Sequence, residues 1–214
     1  MKNMLYKEFK LAMHPTNILF LFLSAMMLIP SYPLLVVFFY STLGLFFTCL
    51  GGRENHDIEY SLFLPVEKKD VVNARMLYSV IMECVQLLLC AGLAVLRGAL
   101  GIGQNEAGMD ANVAFFGFGC LLYGIFNYVF FVKYYTAPDK VGRAFAVSSV
   151  VTFVFIGIVE ACTFILPLFK SLDTPDPAFM PGKIAALLIG IALYAVLTLL
   201  ARRRAIRAFN ALDF

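Results

Sequence analysis

Residues 15–50 read PTNILFLFLSAMMLIPSYPLLVVFFYSTLGLFFTCL, two apolar runs (15–31 and 33–50) parted only by Pro30-Ser31-Tyr32-Pro33. Two prolines in four residues break a helix and favour a tight reversal. One bent helix over 15–50 would be too long for a single crossing, because about 20 apolar residues already cover roughly 30 Å of hydrocarbon. The stretch is therefore read as a hairpin of two short spans. Working outward, four more runs of spanning length lie near 76–96, 113–132, 144–168 and 182–201. Composition agrees: 61% of the 214 residues are hydrophobic and 14% charged, with a mean hydropathy of +0.84. A soluble domain carries about 25% charged residues, and helices that are apolar all round need lipid about them. The expectation is an all-α polytopic membrane protein with six transmembrane helices, a single domain over residues 1–214.

The basic residues orient it. Lys2, Lys7, Lys10, Arg53, Lys68, Lys69, Arg75, Lys133, Lys140, Arg143, Arg202, Arg203, Arg204 and Arg207 fall on one side of these spans, and only Arg97, Lys170 and Lys183 on the other. Short cytoplasmic loops are enriched in Lys and Arg, so both termini are expected in the cytoplasm. A different number of spans would scramble the alternation. The net charge of +3 thus reports topology, and no nucleic-acid partner is expected. The first apolar run has no Ala-x-Ala-like cleavage site and leads straight into the second, so it is read as retained. Cys49, Cys84, Cys90, Cys120 and Cys162 sit in or beside apolar segments without a C-x-x-C pair, and His14 and His56 are the two histidines. Neither metal binding nor redox chemistry is expected from that set. No Ser-His-acid or Cys-His constellation can be assembled, so no catalytic residue is assigned.

Two cytoplasmic segments carry pattern. In residues 1–14, at 100° per residue, Lys7 and Lys10 fall on one side of a helix and Leu5, Phe9, Ala12 and Met13 opposite. That suits an interfacial helix lying on the inner leaflet; a frayed basic tail is the alternative. Residues 51–75, GGRENHDIEYSLFLPVEKKDVVNAR, form the largest cytoplasmic loop. Glu54, Asp57 and Ser61 recur at i, i+3 and i+7, along one face of a short helix, while Ile58 and Leu62 line another. Pro65 stops that helix, and Asp70 can cap the start of the third span. An acidic-faced helix between spans two and three suits docking on a partner; a solvated loop with incidental charges fits equally.

The string LFLPVEKKDVVNARML (residues 62–77) resembles the cytoplasmic signature of ABC-2 type transporter permeases. The matching residues are Glu54, Asp57, Leu64, Pro65, Lys68, Lys69, Asp70, Val71, Val72 and Arg75. The wider plan of a basic amphipathic start, six spans and cytoplasmic termini is similar to the short bacterial members. The resemblance implies a multi-pass subunit of a bacterial cell membrane. Two such permeases, identical or homologous, would form the pathway, driven by a separate cytoplasmic ATP-binding subunit that holds ATP and Mg. The helix between spans two and three would be the coupling helix, its interface formed by Glu54, Asp57, Ile58, Ser61, Leu62, Leu64 and Pro65. This chain would bind no cofactor itself and would not hydrolyse ATP, since no G-x-x-x-x-G-K-[ST] loop occurs in it. The cargo implied is amphipathic: a peptide, an antibiotic or a lipid-like molecule. In such permeases the connection before the last span often dips back into the membrane. Residues 162–169 are a candidate for this, and a simple loop made irregular by Pro167, Pro175 and Pro177 is the alternative.

Glu83 and Glu160 fall inside spans, where an ionised side chain costs about 2.5–3.5 kcal/mol near the bilayer centre. Gln86 shares the face of Glu83 at i+3, and Asn127 adds a polar group in the fourth span. These four line a transport path, or form interhelical hydrogen bonds, or the two carboxylates carry protons in an ion-coupled secondary transporter. That last reading is the main rival to an exporter, and a membrane-embedded enzyme or assembly factor is a second. Gly182, Ala186 and Gly190 recur every four residues on the sixth span and mark close helix packing.

Overall fold

A computed structural model describes residues 2–212 of the protein, and among them every regular element is helical. The chain opens with α1 (Lys2–Lys7), which widens into a π-helical turn (Glu8–Ala12) and ends at His14-Pro15. It resumes as α2 (Thr16–Phe22), which tightens to 3-10 geometry over Leu23–Leu28. Then follow α3 (Val36–Glu54), the short α4 (Asp57–Leu62), α5 (Lys68–Ala99), α6 (Val113–Thr136), α7 (Val141–Ile165), the short α8 (Pro167–Asp173) and α9 (Met180–Asn210). Helices α3, α5, α6, α7 and α9 are each long and apolar enough to cross a bilayer. The sixth candidate is a bent pair, Lys2–Ala12 and Thr16–Leu28, meeting at 84°.

The span expected over 15–31 is therefore shorter than drawn. Seven α-helical residues at about 1.5 Å and six 3-10 residues at about 2.0 Å rise roughly 22 Å, short of the hydrocarbon thickness. Its partner, expected over 33–50, runs from Val36 to Glu54. The hairpin itself is present. Asn17 Nδ2 donates to Thr48 Oγ1 at 2.9 Å and the Tyr40 hydroxyl to Met26 Sδ at 3.3 Å, so α2 runs antiparallel to α3. The reversal passes through Ser31, whose φ of 59° is left-handed. Arg97, buried at the far end of α5, caps the 3-10 end of the first arm by donating to Met27 O (2.7 Å), and also donates to Gly103 O (3.1 Å) in the connection that follows α5. Carbonyls left open at a helix C-terminus are satisfied in this way by a cation.

Helices α6 and α9 approach closest. A Cβ on Gly117 would lie 2.5 Å from Ala186 O, one on Gly124 3.0 Å from Tyr194 Cα, and one on Gly190 would overlap the Gly117 backbone. The small residues Ala186 and Gly190 thus meet small residues on α6 that the spacing on α9 did not reveal. Gly182 stands apart, its Cβ position 3.6 Å from a Leu172 methyl. Gly190→Ala is expected to force the two backbones apart and cost about 1–3 kcal/mol, read as a lower Tm in detergent. Gly182→Ala should be neutral or stabilising, since alanine is the better helix former by about 1 kcal/mol.

The two ends differ in charge. At one end Lys68 Nζ donates to Leu212 O (2.6 Å), Arg202 Nε to Asn73 Oδ1 (2.6 Å), and Lys7, Asp57 and Arg75 meet. At the other end Arg97 packs on the hairpin and Lys183 donates to Thr174 O. The basic residues that share one side of the sequence plan are gathered by the fold at one end of the bundle.

Candidate coupling site and the buried polar seam

Helix α3 stops where Asn55 and His56 break it, His56 taking φ 50°. Glu54 therefore ends α3, exposed and 3.5 Å from Arg53, and does not share a face with Asp57 and Ser61 on α4. The expected acidic stripe is divided by this break. Asp57 turns inward instead: one carboxylate oxygen lies 2.6 Å from Lys7 Nζ and the other 2.6 Å from Arg75 Nη2. Ser61 is buried, accepts from Lys7 Nζ at 2.6 Å and donates to Asp57 O at 2.7 Å. The Arg75 guanidinium also pairs with Glu8, which is wholly buried. Lys7, Glu8, Asp57 and Arg75 thus form a closed cluster with two formal charges of each sign. It ties α1, α4 and the start of α5 together.

Lys7 is accordingly buried rather than on a solvated face. The expected apolar face of the first segment packs on protein: Leu5, Phe9 and Met13 lie against the core, with the Phe9 ring edge-on to Tyr78 at 5.0 Å. Ile58 and Leu62 pack against the same core. What α4 leaves outside is aromatic. Tyr60 is 59% exposed and Phe63 87%, with Glu59 and Pro65 exposed beside them. Clefts of about 330 and 610 Å³ open on either side of Tyr60, the second also lined by Tyr6, Leu64 and Pro65. The i, i+1 and i+4 spacing of Glu59, Tyr60 and Phe63 is legible in the sequence. That it is the outward face is not.

Three of the four intramembrane polar residues are brought together. Glu83 accepts from Ser79 Oγ (2.9 Å), Asn127 Nδ2 (3.1 Å) and the Tyr194 hydroxyl (2.6 Å). Asn127 Nδ2 also reaches Thr198 Oγ1 at 3.4 Å. One turn along, Gln86 donates to Val37 O (2.7 Å) and Ser24 Oγ (3.3 Å) and accepts from the Tyr123 hydroxyl (2.9 Å), which in turn accepts from Ser41 (3.0 Å). Glu83, Gln86 and Asn127 are all buried. The seam joins α3, α5, α6, α9 and the 3-10 end of α2.

Glu160 lies apart, beneath the connection between α5 and α6, where its Oε2 accepts from Met109 N at 2.8 Å. Next to it Asp173 accepts from Asp110 N (2.7 Å) and Asn112 Nδ2 (3.3 Å), so α8 closes onto the same connection. Burial pushes the Asp173 carboxyl up to about 6, against the lowering effect of the Asp110 amide. Phe169 of α8 stacks on Phe118 at 5.5 Å. Among the described residues no group of His, Cys, Asp and Glu is arranged to hold a metal ion.

A helical bundle with five helices long and apolar enough to cross a bilayer, and one end that gathers its charges, fits a multi-pass membrane protein. The family model for ABC-2 family transporter proteins matches residues 3–202, and the chain belongs to that family. It is thus a permease of the ABC transporter class. No curated protein and no solved structure matches it.

Proposed function

We propose that this chain is the membrane-spanning subunit of an ATP-driven exporter, worked by a separate ATP-binding subunit that docks on α4. The carrying observation is the exposed aromatic pair of Tyr60 on α4 and Phe63 at its C-cap, on a helix whose opposite face is fixed by Asp57 and Ser61. Aromatic side chains that become buried between two partners are the usual hot spots of an interface. In this reading Asp57 and Ser61 hold α4 rigidly, while Tyr60, Phe63, Glu59 and Pro65 meet the ATPase. Glu54, Ile58, Leu62 and Leu64 border that contact.

ATP and Mg are held on the partner. The basic end faces the cytoplasm, both termini included, in a bacterial cell membrane, and the exposed side of the first segment, with Tyr6, Lys10 and Leu11, rests on the inner leaflet. Two copies, or this chain and a homologue, enclose a path for an amphipathic cargo. The seam around Glu83, Gln86 and Asn127 holds helices together rather than lining that path.

Co-purification with the ATP-binding subunit tests the reading. Phe63→Glu is expected to weaken the complex by at least about 2 kcal/mol, roughly thirtyfold in Kd, with Tm unchanged because the side chain touches little of its own chain. Retention of the ATPase at wild-type affinity by a Tyr60→Glu, Phe63→Glu double variant would refute the docking assignment.

A further inference from the structure

The turn from α6 to α7 carries a basic cleft that the exporter reading does not use. Val132, Lys133, Thr136, Lys140, Arg143 and Ala144 line a space of about 330 Å³. Lys133, Lys140 and Arg143 are exposed, and none makes an ion pair with a described residue. Asp139, the carboxylate on this turn, lines a different cleft, with Arg53, His56 and Glu59. The space between the three cations is therefore free of protein anions.

The helix above it is apolar and uncovered. From Arg143, positions 147, 150, 154 and 158 follow at steps of three and four and so stay on one stripe of α7. Val150 is 64% exposed, and Val154 and Ile158 are each 57% exposed. A cationic cleft at the foot of an apolar stripe is complementary to a molecule with an anionic head and a hydrocarbon tail. Free phosphate would satisfy only the cleft, and an acidic protein surface would leave the stripe uncovered. Basic pockets between transmembrane helices on the cytoplasmic side take lipid head groups on this physical basis.

We infer that the cleft binds the phosphate of an anionic phospholipid, with Lys133, Lys140 and Arg143 around the head group and an acyl chain along Val150, Val154 and Ile158. The inference uses the proposed orientation of the basic end toward the inner leaflet and is independent of ATPase docking.

Native mass spectrometry of the detergent-purified chain, titrated with phosphatidylglycerol and with phosphatidylcholine, tests it. Wild type should retain phosphatidylglycerol preferentially. Each of Lys133→Gln, Lys140→Gln and Arg143→Gln should weaken that preference about fivefold, from roughly 1 kcal/mol per basic residue at the membrane surface. A control carrying Arg203→Gln removes the same single charge from an exposed position elsewhere and should keep the preference. An unchanged preference in the cleft variants, or an equal loss in the control, overturns the site. Displacement of the lipid by millimolar inorganic phosphate reassigns it to a free anion. Loss of ATPase binding with lipid retention intact reassigns it to the protein partner.

Discussion

Arg75→Leu is expected to destabilise the protein by about 3–5 kcal/mol, because it leaves a buried charge without its partner. Arg75 is 3% exposed and holds both Glu8, which is wholly buried, and Asp57. Without it, Lys7 alone faces two carboxylates, at 2.6 Å from Asp57 and 3.7 Å from Glu8. The loss should appear as a large fall in Tm and as new protease cleavage in α1 and α4, the two elements the cluster fastens to α5. Glu8→Leu combined with Arg75→Leu restores the formal balance and keeps the Lys7–Asp57 pair. It should recover most of the lost stability, since an apolar pair often replaces a buried ion pair at little cost. Equal instability of the single and double variants would show that Glu8 and Arg75 are not coupled.

The second large effect is expected at Glu83. Glu83→Leu removes the acceptor of Ser79, Asn127 and Tyr194 at once. Each buried donor left unpaired costs about 1–3 kcal/mol, so a fall of several kcal/mol in unfolding free energy is expected. Glu83→Gln keeps the shape and one carbonyl acceptor, and should retain most of the stability. It also separates the exporter from its rival. Vesicles holding the Glu83→Gln permease with its ATPase should still transport in response to ATP, at a rate close to wild type. A proton-coupled carrier using Glu83 and Glu160 would lose coupling instead, with no need of an ATPase.

The large features of the fold were legible because they rest on local chemistry. Pro30 and Pro33 announce the hairpin, apolar run lengths give five of the spans but overdraw the first, and the uneven spread of Lys and Arg matches the gathering of charge at one end. Ala186 and Gly190 were read as packing residues without sight of Gly117, since close approach needs small residues on both helices. Which face of a short helix turns inward is less legible, because periodicity shows that a helix has two faces and not which of them meets the rest of the chain. Asp57 and Ser61 looked like a docking face, yet they meet Lys7 and Arg75, residues distant in the chain. Glu8, wholly buried against Arg75, is marked in the sequence only as a lone acid in a basic segment. The break that places Glu54 at the end of α3 is not legible in the sequence, because nothing in Asn55-His56 announces a left-handed residue as a proline would. The seam was only half legible: Glu83 and Gln86 share a helix face by spacing, but Tyr123, Tyr194 and Ser79 became its members only in three dimensions.

The central claim is that α4 is the seat of the ATP-binding subunit, and cross-linking reads that contact directly. A photoreactive benzoylphenylalanine placed at Phe63, in a membrane holding both subunits, should give a covalent adduct with the ATPase on illumination. The same probe at Ile158, on the apolar stripe of α7, should give none. An adduct from Phe63 dependent on the ATPase being present is the result this account predicts. No adduct from Phe63 in a preparation whose ATP hydrolysis still drives transport would contradict it, and would move the docking surface away from α4.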